Sequence, residues 1–475
     1  MLTARATAPR STSEEVPVAQ ISATQIAAGL EGRSPAQIAA GVARMVNAGV
    51  VSPGDRLPIV HDLAPQLGVS TGTVAAAWNT LSALGLVESR GRAGTFVLPT
   101  PASWLPPRYR RSRKIDAEVH LELSTGTPDP SLLPDIREPL MAAAANLEVV
   151  QVSSYLAPPV LPQLESLLQD TWPFRAQRIT VVNGAMDGLI RTLNQVVRFG
   201  DRVAVESPGY PPVFDILDQL GLVRVPIALD HAGATPDSVD AAITAGARAM
   251  ILQPRAQNPT GVSMTPTRVR EVAAIIRART SGTGNRNRLV IIEDDHSGRI
   301  APVRDMSLGV YLPDRVVHVR SYSKTHGPDL RIAGLGGPAH VVNAVVARRL
   351  MGTGWTSRLL QMVLVGMLTN PTSMAIVDQA AQEYAHRRTA MAAALASHGI
   401  VVPPGDGLTM WIPVANEDAA MTRLLAAGIR ASAGTEFLAN PECASDAGGH
   451  LRITLGGLRS DFDAVAAIIA KAARN

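Results

Sequence analysis

The sequence predicts a multidomain chain: a small front of three helices closed by a hairpin, then a large α/β body with a mostly parallel central sheet. Three observations predict it. Residues 34–98 carry apolar residues at helical spacing in three runs, then two short β-prone runs around a Gly-bearing turn. From residue 179 onward short apolar runs recur, each followed by a turn-rich polar stretch, as in buried strands alternating with helices. Between the two parts, residues 99–118 hold Pro99, Pro101, Pro106, Pro107 and a cationic run at 108–114, a composition that makes a semi-extended linker.

In the front, residues 1–20 are polar and aperiodic and read as a flexible arm, so the small domain covers 21–98. Ser34 can cap a helix through Asn47 that presents Ile38, Ala39, Val42, Met45 and Val46. A turn at 52–54 leads to a second helix over 60–67, stopped by Gly68. Ser70 then caps a third helix with Val74, Ala77, Trp78 and Leu81 on one side. Strands at 86–89 and 95–98 flank the turn 90–94. Helix, tight turn and capped third helix form a helix-turn-helix with a wing, a shape that suits the DNA major groove. Ser70, Thr71 and Thr73 stand at the entering end of the third helix. Arg90 and Arg92 sit on the wing, and Arg56 precedes the second helix. A generic three-helix interaction module is the competing reading.

Charge favours DNA. Residues 1–114 hold twelve Lys/Arg against six Asp/Glu, a net +6, while the remaining 361 residues hold 32 against 34, a net −2. A basic front on a neutral body suggests that the front meets a polyanion, with a merely solvated surface as the alternative that charge alone leaves open. At 475 residues with 46% hydrophobic and 18% charged residues, the chain is not a disordered protein. Apolar stretches such as 359–368 are too short to span a bilayer, and no signal-type apolar core opens the chain, so a cytoplasmic protein without membrane partners is expected. A single cysteine, Cys443, excludes an internal disulfide and a Cys-rich metal site, and no metal is expected.

The body, 119–475, divides into a large part at roughly 160–350 and a small part at roughly 351–475. Strands are expected at 179–182, 202–206, 249–252, 289–293 and 316–320. Of the chain's three lysines, Lys114 lies in the basic run and Lys471 near the end, whereas 41 positions are arginine. Lys324 alone is interior. A cofactor with an aldehyde, a pyridine nitrogen and a phosphate needs an amine for a Schiff base, a carboxylate for the ring nitrogen, N–H groups and a cation for the phosphate, and a flat side chain for the ring. Each type follows a predicted strand. Lys324 supplies the amine, and Ser321, Ser323 and Arg331 suit the phosphate. Asp294 suits the pyridinium. Gly184, Ala185 and Met186 open a helix toward a phosphate. Tyr210 offers a ring for stacking, and Asn258 can hydrogen-bond the phenolic oxygen. Singly these motifs are ordinary turns and caps; together, in this order, they describe a pocket for pyridoxal 5'-phosphate.

The stretch from Pro53-Gly-Asp-Arg-Leu-Pro58 through Gly68-Val69-Ser70 to Gly94-Thr95-Phe96-Val97 resembles the winged helix-turn-helix of GntR-type regulators. His61, Thr71 and Ala76 stand where that family usually has DNA-contacting arginines, which puts the usual operator preference in question. From about residue 121 the chain resembles fold-type I, class I/II aminotransferases, and as a whole it resembles the MocR subgroup of GntR regulators. Gly126, Asp129 and Tyr155 also match. The resemblance implies that Arg452, in His450-Leu-Arg452-Ile-Thr-Leu, holds an effector or substrate carboxylate. It also implies a homodimer. His296 stands where the family usually has a tyrosine touching the phenolic oxygen. A histidine there can donate a hydrogen bond with a charge that titrates near neutrality, or be a core residue without cofactor contact. The expectation is a regulator that binds a double-stranded DNA operator and senses pyridoxal phosphate, and an amino-acid-like effector, through Lys324. The rivals are a working aminotransferase with an accessory DNA-binding domain and a dimerisation scaffold without cofactor.

Overall fold

The computed structural model describes residues 21–30, 32–47, 50–83, 86–98, 119–147, 153–281, 289–303, 305–440 and 449–474. The arm 1–20, the linker 99–118, Lys114, Cys443 and the expected helix stop at Gly85 lie outside them. The chain forms two compact units, within residues 1–110 and 111–475.

The first unit contains α1 (Ala23–Ala28), α2 (Pro35–Asn47), α3 (Val60–Leu67) and α4 (Thr71–Ala83) with strands β1 (Arg56–Leu57), β2 (Val87–Ser89) and β3 (Thr95–Val97). The expected helices fall where their caps put them. The Ser34 hydroxyl accepts the Gln37 N–H while Gln37 reaches back to the Ser34 N–H, a reciprocal cap whose Ser is worth about 1 kcal/mol. Gly68 closes α3 in the left-handed conformation, φ 65°, which glycine adopts without penalty. Two elements depart from the expectation of three helices and a hairpin. Helix α1 carries its own Ser22/Gln25 capping box, and Ile26 seals it into the core. Strand β1 pairs antiparallel with β3, so the wing sheet has three strands, ordered β1-β3-β2. Val42, Leu57, Leu63, Val74 and Leu81 are buried in one cluster. Truncating such a residue to Ala would cost about 2–5 kcal/mol.

The second unit opens with β4 (Leu121–Glu122) and is built on an eight-stranded sheet. Its strands are β5 (Arg178–Val182), β6 (Arg202–Ser207), β7 (Val223–Asp230), β8 (Gly233–Ala234), β9 (Ala247–Leu252), β10 (Val290–Asp295), β11 (Val316–Ser321) and β12 (Ala333–Gly337), in the spatial order β5-β12-β11-β10-β9-β6-β7-β8. Only β8 and β12 run antiparallel to their neighbours. Residues 223–230 and 333–337 escape sequence reading for different reasons. The first carries Arg224, Pro226 and Asp230 and is mostly unburied near the sheet edge, and the second, Ala-Gly-Leu-Gly-Gly, has almost no side chains. Gly334 and Gly336 face Trp172 so closely that a Cβ would lie about 3 Å from its ring.

Along β10 the period of two divides the work between faces. Val290 and Ile292 join one apolar layer and Ile291 the other. The same alternation then assigns Asp294 to one face and Glu293 and Asp295 to the opposite one. A second sheet, β13 (Thr409–Val414), β16 (Gly449–Thr454) and β15 (Ser432–Ala433), packs with helices Glu417–Ala426 and Phe462–Ala473, while β14 (Ile429–Arg430) pairs with β4. The small part therefore takes a strand from near residue 121 as well as from the C-terminal third. The 27-residue helix Pro371–Ser397 leads into it. Asp129 ties that helix down: its carboxylate takes Arg387 at 2.9 Å and Arg459 at 2.7 Å, and its N–H donates to the Tyr384 hydroxyl. Burial works to raise its pKa, but the bonds from Arg459, Ser131 and Arg387 together hold the carboxyl far below the usual range.

Candidate functional site

In the first unit, Ser70, Thr71 and Gly72 are exposed at the start of α4. The Ser70 hydroxyl accepts the Thr73 N–H at 3.1 Å and pairs with the Thr73 hydroxyl at 2.9 Å, so these two side chains serve the cap and Thr71 faces water. Arg90 pairs with Glu88 at 3.1 Å and lies 4.9 Å from the centre of the Phe96 ring. Arg56 is half-buried under the turn: a Cβ at Gly94 would meet its guanidinium. The side chain of Arg92 lies outside the described residues. Trp78 donates to the Pro58 carbonyl at 3.3 Å, fixing α4 against the chain that enters α3.

In the second unit the candidate residues converge at the carboxyl end of the sheet, where open α/β sheets bind ligands. Asp294 is 3% exposed; Gln253 donates to its Oδ2 at 2.8 Å, and its Oδ1 is buried without a partner among the described residues. Burial raises its pKa, against the Gln253 bond and the nearby Lys324 charge. Asn258 is also buried; its N–H donates to Gln253 Oε1 at 2.8 Å, and its Oδ1 is unpartnered. Gln253 thus braces both candidates with one amide. Lys324 follows β11 on the loop 322–327. Burial lowers its pKa, Asp294 opposes this, and Arg452 adds to it, so the amine feels the charge of both a carboxyl and a guanidinium. Arg452 is held on β16 by the Thr454 hydroxyl at 2.7 Å, the Ser124 carbonyl at 2.9 Å and the Phe437 face.

His296 corrects the expectation of a residue titrating near neutrality and donating toward a cofactor. Its Nε2 lies 2.8 Å from the Ala256 carbonyl. A carbonyl only accepts, so Nε2 carries the proton and Nδ1 is left as a buried acceptor without a partner. Burial, then the Lys324 charge, pushes its pKa down to about 3. The ring is neutral across the physiological range and has no hydrogen to offer on its free side.

The residues expected to meet a phosphate lie at the start of helix Ala185–Val196, whose first N–H groups are those of Ala185 and Met186. Its cap, Gly184, has φ 96°, and a Cβ there would lie 2.7 Å from the Arg331 guanidinium. Arg331 itself is left-handed, φ 50°, and donates to the Asn183 carbonyl at 3.1 Å. Its exposed guanidinium therefore stands over a helix N-terminus, a place suited to phosphate. Ser321 is buried and accepts the Ser323 N–H at 3.3 Å; Ser323 is half-buried beside Lys324. Tyr210 caps helix Pro211–Gln219 and packs on the apolar layer of Asp294's face.

Sequence reasoning missed the supports behind this site. Glu206, at the end of β6, accepts the Gln253 N–H at 3.1 Å and the Gln257 amide at 3.2 Å, and burial pushes it up to about 8. On the opposite face, His318 lies 2.9 Å from Glu293, and Arg255 joins Asp295 to Asp305 at 2.7 Å each. The available signal was position: Glu206, Gln253 and Arg255 all lie at or just beyond a strand's carboxyl end.

A pocket of this kind on this sheet is the architecture of the class I and II aminotransferases. The "Aminotransferase class I and II" family matches residues 119–469, and "Bacterial regulatory proteins, gntR family" matches 35–97. The chain is 31% identical over 389 residues to the vitamin B6 salvage pathway transcriptional repressor PtsJ of Salmonella typhimurium, covering 81% of this chain and 86% of that one. It is 25% identical to the pyridoxine biosynthesis transcriptional regulator PdxR of Corynebacterium glutamicum, over 75% and 77%. In fold it is similar to the α-aminoadipate aminotransferase LysN of Thermus thermophilus, with a TM-score of 0.65 and 20% identity over 77% of this chain and 94% of that one. The chain belongs to the GntR-type transcriptional regulators of the MocR kind, in which a DNA-binding winged helix is followed by a fold-type I aminotransferase domain. Among the described residues no single helix is long and apolar enough to cross a membrane.

Proposed function

We propose that this regulator binds pyridoxal 5'-phosphate at Lys324 and uses that site to sense vitamin B6 supply or an amino-acid-like effector. The observation that carries the reading is the set of buried acceptors around Lys324: Asp294 Oδ1, Asn258 Oδ1 and His296 Nδ1, all without partners among the described residues. Leaving such groups buried and unmet costs about 1–3 kcal/mol each, so a polar ligand is the economical explanation. The donor set fits the cofactor. Arg331, Ser321, Ser323 and the N–H groups after Gly184 would hold the phosphate. Asp294 Oδ1 would accept the ring-nitrogen proton, and a cation there returns Asp294 to carboxylate. Asn258 would meet the phenolic oxygen and Tyr210 the ring face.

Pyridoxal phosphate, when bound, supplies an aldehyde that an amine can condense with. Burial keeps a larger share of Lys324 in the neutral, nucleophilic form than an exposed lysine would have. Arg452 would orient a carboxylate-bearing effector beside it. Binding of such an effector would leave the Lys324 amine free, and it could shift the domain arrangement only by its difference in affinity for the two states. The names of the relatives, repression of B6 salvage and regulation of pyridoxine biosynthesis, support control of vitamin B6 genes. We place the protein in the cytoplasm as a homodimer reading two half-sites through Arg56, Ser70, Thr71, Thr73, Arg90 and Arg92. The aminotransferase reading is disfavoured by His296, whose only ring hydrogen goes to Ala256. Mapping of genome-wide DNA occupancy with and without pyridoxal phosphate tests the proposal. Occupancy that changes near genes of B6 metabolism is expected; occupancy indifferent to the cofactor rejects it.

A further inference from the structure

Behind the Lys324 loop lies a cavity of about 500 Å³ that shares only Ser321 with the proposed cofactor site. Its walls come from helix Pro162–Thr171, residues 298–303 with Asp305, the residues flanking Lys324 and the long helix Pro371–Ser397. It borders Arg320 and Asp305, on the sheet face opposite Asp294. We infer that this cavity is a second ligand site, for a small α-amino acid with an aliphatic side chain.

Three features select that chemistry. First, His326 lines the cavity, is 3% exposed, and has an Nε2 without a partner among the described residues. Its Nδ1 lies 2.7 Å from the Thr325 hydroxyl, and that hydroxyl donates to the Tyr322 carbonyl at 3.2 Å. With its hydrogen thus spent, Thr325 accepts from Nδ1–H, and Nε2 is left as a bare acceptor. A ligand N–H donor, such as an ammonium, satisfies it. Second, Arg299 stands at the rim in an ion pair with Asp378 whose side chains are 58% and 52% exposed. Exposed pairs are held weakly, so a ligand carboxylate can take the guanidinium and leave Asp378 to the ammonium. Third, Leu167, Leu368, Met374 and Ala381 give an apolar wall.

The position gives such a site leverage. Thr325 and His326 directly follow Lys324. Through the sheet, Asp305 binds Arg255 and Arg255 binds Asp295 at 2.7 Å each, while the next residue on each side, Ala256 and His296, forms the hydrogen bond of the Lys324 pocket. The segment Arg255–Ala256 thus touches both chambers, and Asp295–His296 is bonded to it at each residue.

The test is calorimetric titration of the full-length protein with L-leucine, in the parent and in the variants Arg299→Ala and Asp378→Asn, with thermal melting as the check on folding. Both substitutions change exposed side chains, so the fold should persist. Binding is expected, weakened by about tenfold in each variant, the value of one charged hydrogen bond. The single-charge analogues 3-methylbutylamine and 4-methylpentanoate should bind more weakly than leucine. No heat up to roughly 10 mM leucine, binding within about threefold of the parent in either variant, or equal binding of both analogues would overturn the inference. Leucine held only beside Arg452 gives the second of these results. The outcome is independent of whether pyridoxal phosphate binds Lys324, which its own absorbance reports.

Discussion

The two units hold their candidate ligands in opposite ways. At the winged helix the polar groups are exposed and mutually satisfied: Ser70 with Thr73, Arg90 with Glu88. In the body, Arg331 apart, the groups around Lys324 are buried and left incomplete, as at Asp294, Asn258 and His296. A polyanion can be met by side chains that water serves equally well. A small cofactor needs groups withdrawn from water beforehand, so that little reorganisation follows binding. Substitutions in the body should therefore cost far more than those in the front.

The largest effect is expected at Lys324. The parent should develop a visible absorbance band on addition of pyridoxal phosphate, and Lys324→Ala should lose it entirely; a retained band would move the linkage to another amine. Next comes Glu206. Its folded pKa is raised to about 8 from 4.5, so its stabilising contribution is complete below pH 4.5 and is lost as pH rises through 8. The total is on the order of 5 kcal/mol at most. Melting temperature should decline across that window, and Glu206→Gln should flatten the decline; an unchanged slope would show that Glu206 is ionised throughout. Third, Asp294→Ala should weaken pyridoxal phosphate binding by about 1.5–3 kcal/mol, the value of a hydrogen bond to a charged group, measured by fluorescence titration. The smallest effects belong to the wing. Arg90→Ala and Arg92→Ala should each lower the salt slope of DNA binding by about 1 without changing sequence preference. If Arg92→Ala cost more affinity for DNA than Asp294→Ala costs for the cofactor, the contrast between the units would fail.

What was legible in the sequence follows the same divide. Caps and periodicity located helices α2, α3 and α4 because Ser34, Gly68 and Ser70 act locally. Lys324, Asp294 and Asn258 were visible because each follows an apolar strand. Strand β12 was not, since its pairing depends on Trp172 and neighbouring strands rather than on its own residues. His296 was visible as an oddity but misjudged. Its protonation is decided by the Ala256 carbonyl, 40 positions away, and by burial. Glu206 and Gln253 act through one another across β6 and β9, and no local pattern announces that.

Gly184 and Arg331 lie 147 positions apart, yet the absent side chain of one makes room for the guanidinium of the other. In mutational terms they are a single locus. A lineage that acquires any side chain at 184 has displaced the arginine without altering its codon, and a later change at 331 then carries little further penalty. Drift at the two positions should be ordered, with the glycine as the gate: while it stands, the arginine is worth keeping.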